Sequence, residues 1–115
     1  MNYDLLLHVD SDDPKVLNLA FNNAANYKNG LPGESFRMVL VANGPAVRLF
    51  TREHADLAAR GAELTSMGLD IRLCANALKS NDISSDALWP GCRVVPAGVV
   101  EIVHLQREGF AYIKP

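Results

Sequence analysis

Five short apolar runs, each separated from the next by a stretch of helical periodicity, limit the folds open to this 115-residue chain more than any other feature. The runs are Tyr3–Val9, Phe36–Ala42, Leu69–Cys74, Arg93–Val95 and Phe110–Ile113. The first two are almost unbroken, the pattern of strands buried on both faces of a parallel sheet. Between the runs, apolar residues recur at helical spacing. Val16, Leu17, Ala20, Ala24 and Tyr27 form one stripe, which begins behind an N-cap at Asp13 and a proline at the first helical position, Pro14. Gly30-Leu31-Pro32-Gly33 ends it. Asn43-Gly44-Pro45 is a turn that opens a helical stretch through Val47, Leu49 and Phe50, and Leu57, Gly61 and Leu64 form the face of the next helix, with Gly68 at its left-handed end. Ala75–Ser80 reads as a short helix, Ser84-Ser85-Asp86 caps a further turn closed by Trp89-Pro90-Gly91, and Gly98–Glu108 carries a stripe of Val99, Ile102, Val103 and Gln106. Regular alternation of this kind predicts an α/β fold, a parallel sheet between layers of helix.

The length suits one domain, residues 1–115. With 49% hydrophobic and 21% charged residues the chain is too apolar and too weakly charged for disorder. A chain of this size buries roughly two-thirds of its unfolded surface and needs no staples. The net charge of -2, with only Arg48–Arg52 locally basic, argues against a nucleic-acid partner. No apolar run approaches the length of a membrane span, and Met1-Asn2-Tyr3-Asp4 lacks a positive leader. The expected compartment is the cytoplasm, where the two cysteines, Cys74 and Cys92, are expected as free thiols.

Ligands of open parallel sheets bind beyond the carboxyl ends of the strands. Here that rule selects Asp10-Ser11-Asp12, Asn43-Gly44, Cys74-Ala75-Asn76 and Ala97-Gly98. Cys74 has the greatest chemical potential among them. At a helix start it meets unsatisfied N–H groups and the positive end of the helix dipole, both of which favour thiolate. Lys79 lies five residues on and could add positive charge, and Arg72 shares the strand face. The same position also suits a cysteine that is merely a small buried apolar residue. Cys92 reads as a packed loop thiol, with the alternative of a redox pair with Cys74 if their Cα atoms come within about 7 Å. Asp10, Asp12 and Asp13 suggest a magnesium pocket, but Cys74 stands where such a pocket needs a carboxylate, so capping is the better role for Asp12 and Asp13. His8, His54 and His104 share no metal-ligand spacing, so no metal site is assigned. Nor is there a glycine-rich phosphate fingerprint.

Three segments together resemble the DsrE/DsrF-like family: Cys74-Ala75-Asn76-Ala77-Leu78-Lys79-Ser80-Asn81-Asp82-Ile83, Val41-Ala42-Asn43-Gly44-Pro45-Ala46-Val47, and the tail Pro96–Pro115. One departure stands out. Where the family often has a glycine before the isoleucine of the cysteine segment, this chain has Asp82. The resemblance implies a three-layer α/β/α sandwich on a five-stranded, mainly parallel sheet, and a homo-oligomer, commonly a trimer or hexamer. It also implies a sulfur relay in which Cys74 carries a persulfide between donor and acceptor proteins, without a cofactor. Asn43, Gly44 and Asn76 would line the cysteine pocket, with Lys79 and Gly98 beside it. The alternative function is a non-catalytic oligomeric module that binds a small ligand at the strand ends, with Trp89 and the last strand at subunit contacts.

Overall fold

The computed structural model describes all 115 residues. Five strands form one sheet: β1 (Leu5–Val9), β2 (Met38–Ala42), β3 (Leu69–Cys74), β4 (Arg93–Val95) and β5 (Ala111–Ile113). Their order is β4-β3-β2-β1-β5, and every pairing is parallel. The helices are α1 (Pro14–Gly30), α2 (Ala55–Ser66), α3 (Ala75–Ser80) and α4 (Gly98–Arg107).

Side chains alternate across the sheet, and each parity meets a different layer. Leu5, Leu7 and Val9 of β1, Met38, Leu40 and Ala42 of β2, and Leu69, Ile71 and Leu73 of β3 join Leu17, Phe21, Leu57 and Leu64 in the larger core, on the side of α1 and α2. Leu6, Val39 and Val41 point the other way and pack with Ile102, Leu105 and Phe110 against α4. The connections explain this division. Those following β1, β2 and β3 each step one strand in the same direction, whereas the one following β4 returns across the whole sheet to β5. A right-handed crossover that reverses direction must pass over the opposite face. The sandwich therefore has α1, α2 and α3 on one side and α4 alone on the other.

The expected elements are present, with local differences that have local causes. Asp13 caps α1 by accepting from the Lys15 N–H at 3.0 Å, and Pro14 is its first residue. The first strand starts at Leu5 and not Tyr3, because the Asp4 N–H turns back to Asn2 Oδ1 at 2.8 Å. The second starts at Met38 and not Phe36, because the Arg37 N–H is taken by Asp4 Oδ1 at 2.7 Å. The stretch after Asn43 is a 3-10 helix, Gly44–Phe50, separate from α2. Trp89 is 4% exposed, packed against Phe21 and Phe50, and its Nε1 donates to the Thr51 carbonyl at 2.8 Å. That places it in the core and corrects its assignment to a subunit contact.

Candidate functional site

The connections following β3 and β4 leave toward opposite faces of the sheet, so a crevice opens between them at the strand ends. A cleft of about 440 Å³ occupies this place. The end of β2 contributes Asn43, Gly44 and Pro45, with Arg48 from the 3-10 helix. The end of β3 contributes Cys74, then Asn76, Ala77, Ser80 and Asn81. The end of β4 contributes Ala97, Gly98 and Val99. Of the residues singled out from the sequence, Asn43, Gly44, Cys74, Asn76 and Gly98 therefore meet in one cleft.

Lys79 does not line it. Cys74, Ala77 and Asn81 recur at three- and four-residue spacing and turn the same side of α3 to the cleft, whereas Lys79 falls between them and is exposed. The cation of the site is Arg48. Its Nε donates to Asn81 Oδ1 at 2.8 Å and its Nη1 to Asp12 Oδ2 at 3.2 Å. Asn81 is anchored in turn by donating Nδ2 to the Ala77 carbonyl at 2.8 Å. Arg72 shares the Cys74 face of β3, but its guanidinium is engaged by Asp70 at 2.8 Å and Glu101 at 3.5 Å.

Cys74 is the last residue of β3 and the N-cap of α3, with extended backbone (φ -73°, ψ 119°). Its side chain makes no capping hydrogen bond. It is 7% exposed, packed on one side against the larger core and open on the other to the cleft. The adjoining α3 has only six residues, but a second helix start, that of the ten-residue α4, lies against the Cys74 Cβ. Ala97 caps α4 with no side-chain acceptor, which leaves the first N–H groups of that helix without an internal partner. Gly98 permits this approach. A Cβ added there would stand 3.1 Å from Asn43 Cβ and 3.2 Å from Cys74 Cβ.

Cys92 lies apart from this site. The register sets Cys74 opposite Val95, three residues beyond Cys92. At about 3.3 Å per residue the two cysteines are offset by about 10 Å along the strands, too far for a disulfide. Both are free thiols, so the redox-pair reading fails. Burial pushes the Cys92 thiol up to about 12.

Two site residues escaped the sequence reading. Arg48 looked like part of a small basic run, and its role depends on contacts across the fold. His8 looked like an isolated strand histidine. Its Nε2 lies 2.9 Å from Asn43 Oδ1 and its Nδ1 2.6 Å from the Tyr112 hydroxyl. The alternation of β1 carried a signal, because it puts His8 on the α4 side beside the end of β2.

Asp82 resolves the departure noted in the cysteine segment. It has φ +54°, the left-handed region that glycine enters freely and aspartate tolerates. The backbone thus takes a glycine-type conformation without the glycine.

No helix is long and apolar enough to cross a membrane. No curated protein matches the chain. Among solved structures, a protein of unknown function from Methanobacterium thermoautotrophicum is 34% identical, with a TM-score of 0.91 over 99% of this chain and 100% of that one. A conserved protein of unknown function from Bacteroides thetaiotaomicron shares the fold at 16% identity, with a TM-score of 0.71 over 97% of this chain and 94% of the other. The family model for DsrE/DsrF-like proteins matches residues 4–115. With that match spanning both the strand framework and the Cys74 segment, the chain belongs to the DsrE/DsrF-like family.

Proposed function

We propose that this protein is a sulfur carrier that holds sulfane sulfur as a persulfide on Cys74 and passes it to a partner protein. The observation that carries the reading is the convergence of Cys74 with the start of α4 in an open cleft, at the point where the sheet connections diverge. A cysteine kept only for packing has no need of a cleft on one side and an uncapped helix start against it. Family membership supports the reading at the level of the fold.

The chemistry is an exchange at sulfur. The Cys74 thiolate attacks the outer sulfur of a donor persulfide, forming a new S–S bond as the donor's S–S bond breaks and the donor leaves as a thiolate. An acceptor thiolate then attacks the outer sulfur on Cys74, takes it, and regenerates the Cys74 thiolate. No electrons are gained or lost overall, so the exchange is complete without a cofactor. The proposed assembly is a homo-oligomer, a trimer or hexamer. The exposed Val99, Val100 and Val103 of α4 fit such an assembly, and light scattering measures it.

Cyanolysis tests the carrier function. The protein is treated with inorganic polysulfide, freed of excess reagent and exposed to cyanide, which removes a persulfide's outer sulfur as thiocyanate. One thiocyanate per chain is expected from the wild type and none from Cys74→Ser. Equal yields from the two would refute the proposal.

A further inference from the structure

Asn43 is the one cleft residue whose side chain is held by a chain of hydrogen bonds running to the far edge of the sheet. Its Oδ1 lies 2.9 Å from His8 Nε2, and His8 Nδ1 lies 2.6 Å from the Tyr112 hydroxyl. The three residues sit on adjacent strands or at their ends: Tyr112 on β5, His8 on β1 and Asn43 directly after β2. The orientation of the Asn43 amide, with Oδ1 turned to His8, sets the direction of the chain. An amide oxygen only accepts, so His8 Nε2 carries the proton. The bare Nδ1 then accepts from the Tyr112 O–H. Asn43 Nδ2 has no partner within the protein, although Asn43 lines the cleft beside Cys74.

We infer that Tyr112 and His8 are positioning residues that hold the Asn43 amide with its N–H donors toward the Cys74 cleft, so that Asn43 binds negatively charged groups brought to that sulfur. Each donor in the series points toward the cleft, and hydrogen bonds aligned in this way polarise one another. With the amide locked by His8, a negative group entering the cleft meets a prealigned donor. The opposite arrangement would present Asn43 Oδ1 to the cleft and repel the same group. This inference rests on the reading of the cleft as a place where charged sulfur is handled. It specifies what the site recognises: an anionic group on the incoming reagent.

Two measurements test it, and neither depends on sulfur transfer, so failure of the carrier function would leave both readable. The first is ¹⁵N NMR of the His8 ring at a pH where the imidazole is neutral, assigned by comparison with His8→Gln. The Nε2–H tautomer is expected. An Nδ1–H tautomer would mean that Asn43 faces the other way, and the inference would fall. The second compares alkylation of Cys74 by anionic iodoacetate and by neutral iodoacetamide, a ratio that cancels the thiol's intrinsic reactivity. Asn43→Ala and His8→Ala are expected to lower the iodoacetate-to-iodoacetamide ratio about tenfold or more, the effect of one hydrogen bond to a charged group. Tyr112→Phe is expected to lower it less. His8→Gln is expected to retain most of the ratio, because the glutamine amide can still donate to Asn43 Oδ1. A ratio unchanged in Asn43→Ala, or lost equally in His8→Gln and His8→Ala, would overturn the assignment.

Discussion

Gly98 stands so close to Cys74 that a Cβ on it would lie 3.2 Å from the Cys74 Cβ. It is the first residue of α4, and its missing side chain lets that helix start against the end of β3. Gly98→Ala tests this contact. Alanine favours the helix by up to about 1 kcal/mol, while the new methyl crowds Cys74 and Asn43 from 3.1–3.2 Å. The two effects are expected to leave the melting temperature nearly unchanged. Alkylation of Cys74 by iodoacetamide is expected to slow several-fold, because α4 must retreat from the sulfur or the cleft must narrow. Unaltered alkylation would show that this close approach has no bearing on the thiol.

The end of α3 offers a test of backbone conformation. Asp82 holds φ +54°, which costs an L residue energy that glycine avoids. Asp82→Gly is expected to raise stability by about 0.5–1 kcal/mol, partly offset by the greater freedom of glycine in the unfolded chain. Urea unfolding followed by the fluorescence of Trp89, the single tryptophan, reads this directly.

Acid stability is expected to depend on Asp4. Burial pushes its carboxyl up, but the Arg37 backbone N–H, the Arg37 guanidinium hydrogen bonds and the Arg37 charge together outweigh that and hold it below the usual carboxylate value. A group lowered in the folded state stabilises at pH values above its unfolded pKa, about 3.9, and loses that contribution as pH falls through the folded value. Asp4→Asn is therefore expected to be less stable than the wild type at neutral pH, with the difference shrinking below about pH 4. Melting curves from pH 7 to pH 2 measure it. A gap that does not shrink in acid would assign Asp4 a purely steric role.

The strand framework was legible because burial on both faces makes runs such as Leu5–Val9 and Met38–Ala42 continuously apolar. Alternation with helices then required parallel pairing. Strand limits were less legible, because they depend on single hydrogen bonds such as that from the Arg37 N–H to Asp4. At the site, the residues at strand ends could be placed in advance, since the fold class itself says where the ends converge. Lys79 was misplaced because a six-residue helix gives too few turns to fix its phase. Arg48 and His8 were missed for a different reason. Their partners, Asn81 and Asp12 for one and Asn43 and Tyr112 for the other, are 33 to 104 residues away in sequence. Strand alternation gives the side of the sheet on which His8 lies, but no local pattern names partners so distant.

Acceptance of sulfur at Cys74 is read by treating the folded protein at pH 7 with a limiting amount of inorganic polysulfide and mapping the added sulfur by peptide mass spectrometry. The mass of one sulfur atom is expected on the Cys74 peptide. None is expected on Cys92, whose thiol burial pushes up to about 12. Sulfur on Cys92 with Cys74 unmodified, or no adduct on either, would refute sulfur carriage at Cys74.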